Sequence, residues 1–172
     1  ELCRNLGSGE EMNRRSLVAA TAAVLLFSSA TALAEGNPKP PGYVSMEGFY
    51  VWNEKDSKYA SPAYAREQTM TISRDDPGGF KLGQNIVLID GQKTDWVAEG
   101  TFGGPAVPAG FITLQLKRVG NDAFSNDYVM ADGKKGHEVF QIKGERITIK
   151  GSFRDTDGKD YPYTEIWDRK KK

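Results

Sequence analysis

Residues 111–153 read FITLQLKRVGNDAFSNDYVMADGKKGHEVFQIKGERITIKGSF, and this stretch decides the fold. Ile112, Leu114 and Leu116 alternate with polar residues, and Gly120-Asn121-Asp122 then punctuates the chain. Phe124, Tyr128 and Met130 follow at even spacing before the Asp132-Gly133 turn. Phe140 and Ile142 alternate next, and beyond Lys143-Gly144 so do Ile147, Ile149 and Phe153. Strict period-two alternation broken by short Gly/Asp/Asn turns is the pattern of antiparallel strands with one buried face.

Five further runs extend the pattern. On the N-terminal side these are Tyr43–Trp52, Gln68–Ser73, Phe80–Ile89 and Thr94–Phe102, with Tyr161–Asp168 closing the chain. Val44, Met46, Tyr50 and Trp52 share a side of the first, Trp96, Ala98, Gly100 and Phe102 a side of the fourth, and Tyr161, Tyr163 and Trp167 a side of the last. No segment carries a long apolar stripe at helical period. Short loops make successive strands antiparallel neighbours, and such a meander best hides its edges by closing on itself. The expected fold is therefore all-β: an antiparallel up-and-down barrel of about 8 to 10 strands. A two-sheet sandwich is the alternative, but the long crossovers it needs are not evident. One connection is long, Asn53–Glu67, and its Tyr59 and Tyr64 are expected to pack over a mouth of the barrel, as a lid or as a plug.

The first 42 residues read differently. Met12-Asn13-Arg14-Arg15, the apolar run Leu17–Phe27 and Ala32-Leu33-Ala34 have the layout of a secretory signal peptide over 12–34, with cleavage after Ala34. Arg14-Arg15-Ser16-Leu17-Val18 also fits the minimal twin-arginine pattern. Residues 1–11 are expected to be translated upstream DNA or a cloning scar, 35–42 a Pro/Gly-rich arm, and 43–172 the barrel. The mature protein is then periplasmic or secreted, with no stable membrane anchor. Its leader would carry away the single cysteine, Cys3, together with Arg4, Arg14, Arg15 and Glu1, Glu10, Glu11, so the charge stays balanced.

That balance, 23 basic against 23 acidic residues in the whole chain, argues against nucleic acid as a partner. Mean hydropathy of −0.54 argues against an integral membrane protein built of helices.

Gly48-Phe49-Tyr50, Asn53, Ser57-Lys58-Tyr59, Ser61-Pro62 and Thr69-Met70-Thr71-Ile72 resemble a family of small exported bacterial proteins that reads G-x-W-x-x-N-x-x-x-S-K-Y, S-P, T-M-T-I. Asp90-Gly91, Phe102-Gly103-Gly104, Pro108, Leu116-Lys117-Arg118, Asp157-Gly158-Lys159 and Trp167-Asp168-Arg169 continue the resemblance over Gly48–Arg169. It implies a lipocalin-like, calycin-type barrel, a class that commonly holds a small apolar molecule.

The residues offer little to catalysis. His137, the one histidine, is adjacent to Glu138, and neighbours in a strand face opposite ways, so it is expected on the surface. The serines lack a nucleophile-elbow context, the glycines do not open a helix, and Asp75-Asp76 and Asp155/Asp157 are expected in turns. We therefore expect a non-enzyme, with no catalytic residue, metal site or cofactor.

The informative residues are polar side chains on inward faces: Gln84, Arg118, Asn126, Glu138 and Glu165. Each must pair internally, with Arg118 meeting Glu138 or Glu165, or meet a guest. Together with Trp52, Tyr59, Tyr64, Trp96, Tyr128 and Trp167 they form the candidate pocket for a small apolar or aromatic molecule. The competing expectation is a structural or protein-interaction module of the envelope with a solid core. An interior void above about 300 Å³ would favour the first.

Overall fold

A computed structural model describes residues 38–60 and 65–171. The 1–11 extension, the signal sequence at 12–34, residues 35–37 of the arm, and Tyr64 lie outside the described residues. Eleven strands follow one another: β1 Gly48–Trp52, β2 Lys58–Tyr59, β3 Ala65–Asp76, β4 Gly79–Leu88, β5 Lys93–Gly100, β6 Val107–Ala109, β7 Ile112–Gly120, β8 Ala123–Met130, β9 Lys135–Lys143, β10 Arg146–Arg154 and β11 Asp160–Lys170. They form one antiparallel sheet in the order β5-β4-β3-β1-β11-β10-β9-β8-β7-β6, with β2 laid against β11. The first and last long strands pair, Trp52 opposite Trp167, and this ladder closes the meander into a barrel. At the remaining seam β5 and β6 touch without a ladder: a Cβ on Gly100 would lie 3.1 Å from a Val107 methyl.

The all-β, up-and-down barrel expected from the alternation is the fold observed. Several details differ. The run from Tyr43 becomes strand only at Gly48, and Val44 is exposed rather than inward. Two short strands were not legible: β6 lies in the expected 103–110 loop, and β2 in the long connection, after a 3-10 turn at Glu54–Asp56 in which the Asn53 side chain accepts from the Asp56 amide. Asp75 and Asp76 belong to β3, not to a turn. A bulge between Ile72 and Arg74 inserts one residue, and the two-residue period then swings Asp75 to the inside.

That inversion closes one end of the barrel. Asp75, fully buried, accepts hydrogen bonds from the Tyr43 hydroxyl at 2.6 Å and the Met46 amide at 2.7 Å, and its carboxylate also meets the Arg118 guanidinium. The guanidinium lies over the Tyr43 ring at 4.3 Å and near Phe102 at 5.1 Å. Beneath this cap, Phe80, Phe102, Phe124 and Phe140 run across the interior with centroid separations of 5.4, 5.7 and 4.4 Å. Aromatic rings of this size, in contact one to the next, fill the barrel at this end.

Candidate functional site

The other end is hollow. A cavity of about 670 Å³ is bounded by the starts or ends of β4, β5, β7, β8, β9, β10 and β11, and by Tyr59 of β2. Phe140, Ile149 and Leu114 line it at depth, and the exposed turn residues Gln92, Phe111 and Asp132 edge it at solvent. Glycine makes part of the room. Gly136 faces Tyr128 across β8 and β9, and a Cβ there would fall 2.2 Å from the tyrosine ring. Gly151 lies between Glu138 and Tyr163 in register, and its Cβ would fall 2.7 Å from the Glu138 Cβ and 2.8 Å from the Tyr163 ring. A glycine inside a strand often marks such a close approach.

Across Gly151 the Tyr163 hydroxyl donates to Glu138 Oε2 at 2.6 Å, while Asn126 Nδ2 donates to Oε1 at 2.8 Å. The Tyr128 hydroxyl lies 3.3 Å from that of Tyr163. Glu165 stands on the adjacent cross-strand rank, opposite Ile149. Tyr59 donates to its Oε1 at 2.8 Å and Trp167 Nε1 to its Oε2 at 3.0 Å. Tyr59 and Tyr163 stack at 6.2 Å. Two carboxyl groups are thus held in an apolar chamber by phenols, an amide and an indole.

Burial governs their protonation. It pushes the Glu138 carboxyl up to about 7, against the opposing hydrogen bonds from Tyr163 and Asn126, and the charge of Glu165 adds to the rise. Glu165 is raised for the same reason, opposed by its bonds from Tyr59 and Trp167. Burial, and then the Glu138 charge, hold the Tyr128 and Tyr163 hydroxyls above the ordinary phenol range. These phenols are donors at any physiological pH.

Of the residues expected in the pocket, Tyr59, Gln84, Trp96, Asn126, Tyr128, Glu138 and Glu165 line the cavity together. Three do not. Trp167 is fully buried in the core, off the lining, and reaches the site only through its indole N–H. Trp52 lies opposite Trp167 and meets Tyr59 edge-on at 6.1 Å, outside the chamber. Arg118, expected to meet Glu138, Glu165 or a guest, is bound instead to Asp75 at the closed end. Its inward parity was legible, but its height in the barrel was not. His137 is on the outer face, as expected, with Nδ1 2.7 Å from Asp127 Oδ1. Tyr163 and Phe153 were missed as lining residues, although their alternation with Glu165 and with Ile149 was visible.

No protein-family model matches the sequence, and no curated protein matches it. Among solved structures, the REP1-NXSQ fatty acid transporter aligns at a TM-score of 0.50 and 14% identity, over 73% of this chain and 96% of its own. The fold is that of a lipocalin-like barrel. A mutant of the fluorescent protein UnaG aligns at a TM-score of 0.49 and 16% identity, over 74% of this chain and 97% of that one. A secretory abundant heat soluble protein from Ramazzottius varieornatus aligns at 0.47 and 10% identity, over 75% and 98%. At 14% identity the likeness to the fatty acid transporter is one of fold alone.

Proposed function

We propose that this lipocalin-like barrel is an exported binding protein, not an enzyme, which holds a small apolar or aromatic molecule in its interior. The observation that carries the reading is the cavity of about 670 Å³, within the range of small-molecule sites and lined by apolar walls with a few convergent polar groups. The existence of a fatty acid transporter with this fold supports it. The cavity also speaks for this reading over a solid-core module of the envelope, because the interior is packed at the Phe80–Phe140 end and open at the other. Export rests on the sequence of residues 12–34.

The test uses Nile red, a neutral dye whose emission rises in apolar surroundings. The full chain should enhance and blue-shift its emission. Met130→Trp, which narrows the cavity from β8, should weaken the effect while the melting temperature stays close to that of the parent. Enhancement unchanged by the narrowed cavity would overturn the reading.

A further inference from the structure

The polar groups of the cavity are unbalanced toward acceptors. Each oxygen of Glu138 and Glu165 receives a protein donor, as described above, and each has a second lone-pair direction. Asn126, 2% exposed and on the cavity lining, has its Oδ1 buried without a hydrogen-bond partner. Among the described residues, cationic counterparts are missing from the lining at depth. Lys134 is the one basic residue of the described lining, and at the rim its Nζ is held 2.9 Å from Asp132. Arg118 is engaged by Asp75 at the closed end.

A carboxylate entering this chamber would face two carboxyl groups and find its candidate donors, the Tyr59 and Tyr163 hydroxyls, already committed to them. A protonated amine would meet acceptors with free lone pairs and a compensating charge, in a chamber lined by the rings of Tyr59, Tyr128 and Tyr163. We infer that the guest of this barrel carries a protonated amine at its polar end, seated between Glu138 and Glu165, with an apolar or aromatic body toward Trp96 and the mouth. The inference rests on the binding reading proposed above and narrows it to a ligand class.

Calorimetric titration of the full chain at pH 7.5 with three matched probes, 2-(1-naphthyl)ethylamine, 2-(1-naphthyl)ethanol and 1-naphthylacetate, tests it. The amine should bind about tenfold or more tighter than the alcohol, as a charge-assisted hydrogen bond gives, and the acetate weakest. In a Glu138→Gln/Glu165→Gln double variant the amine should lose its advantage and bind within about threefold of the alcohol. Acetate binding as tightly as the amine, amine and alcohol binding alike to the parent, or an amine preference that survives the double substitution would overturn the inference while leaving the binding reading intact. If the variant does not fold, the ranking on the parent protein decides. Failure of all three probes to give heat or to displace Nile red, together with no Nile red enhancement, would overturn the binding reading and the inference together.

Discussion

Tyr163 reaches Glu138 from two strands away, hydroxyl to carboxyl at 2.6 Å, because the residue between them on β10 is Gly151. The sheet has no side chain at that point, so the phenol can lie across it. Closing this gap should separate the pair. Gly151→Ala would place a methyl 2.7 Å from the backbone oxygen of His137 as well as against Glu138, and backbone cannot swing aside as a side-chain tip can. Loss of about 1 to 3 kcal/mol is expected, with the tyrosine-to-carboxyl bond broken. Chemical denaturation measures the first, and ultraviolet titration of the tyrosines the second.

The raised Glu138 carboxyl makes stability depend on pH in a definite direction. A carboxyl whose proton affinity is higher folded than unfolded contributes fully below its unfolded value near 4.5, and the contribution is lost as pH rises through about 7. Glu165, also raised, acts in the same sense. Between about pH 4.5 and 8 the parent should therefore lose roughly 2 to 3 kcal/mol relative to Glu138→Gln. Urea denaturation of both proteins across that range checks it, and parallel curves would refute the assignment.

At the closed end, Arg118→Met should leave Asp75 buried without its cation. Such removal of one partner costs about 3 to 5 kcal/mol. Nile red or naphthyl binding should be unaffected below the lowered melting temperature, since Arg118 is not on the cavity lining. A loss of affinity would return Arg118 to the pocket.

Trp96 and Trp167 should respond differently to truncation. Trp96→Ala removes a face of the cavity wall and should weaken binding of an aromatic guest by roughly 1 to 3 kcal/mol. Trp167→Ala opens a hole in a fully buried position and should cost about 3 to 5 kcal/mol of stability. Its effect on affinity should be smaller, coming only through the released Glu165 oxygen. Melting and titration of the two variants side by side separate these roles.

Export is tested at the N-terminus of the extracytoplasmic protein. If the proposed export holds, the small residues at Ala32 and Ala34 place the cleavage after Ala34, and mass spectrometry should find Glu35 first. An exported form beginning upstream of Arg15 would contradict it.

What residue order alone determined is the set of properties that are local. Alternation assigns each side chain to the inside or the outside, and short turns make neighbours antiparallel, so the barrel and the inward parity of Gln84, Trp96, Arg118, Asn126, Glu138 and Glu165 were legible. Parity is silent about height. Whether an inward residue meets another depends on the register accumulated around the ring and on bulges that invert it, which is why Asp75, and not Glu138 or Glu165, meets Arg118. Strands β2 and β6 escaped because two or three residues are too few to show a period, and they exist through their partners on β11 and β7. Which half is hollow was likewise a tertiary outcome. Phe80, Phe102, Phe124 and Phe140 come from four separate segments and converge at one height, whereas Gly136 and Gly151 withhold side chains at the other. Filling a volume depends on the sum of side chains that meet there, and only the closed barrel brings them together.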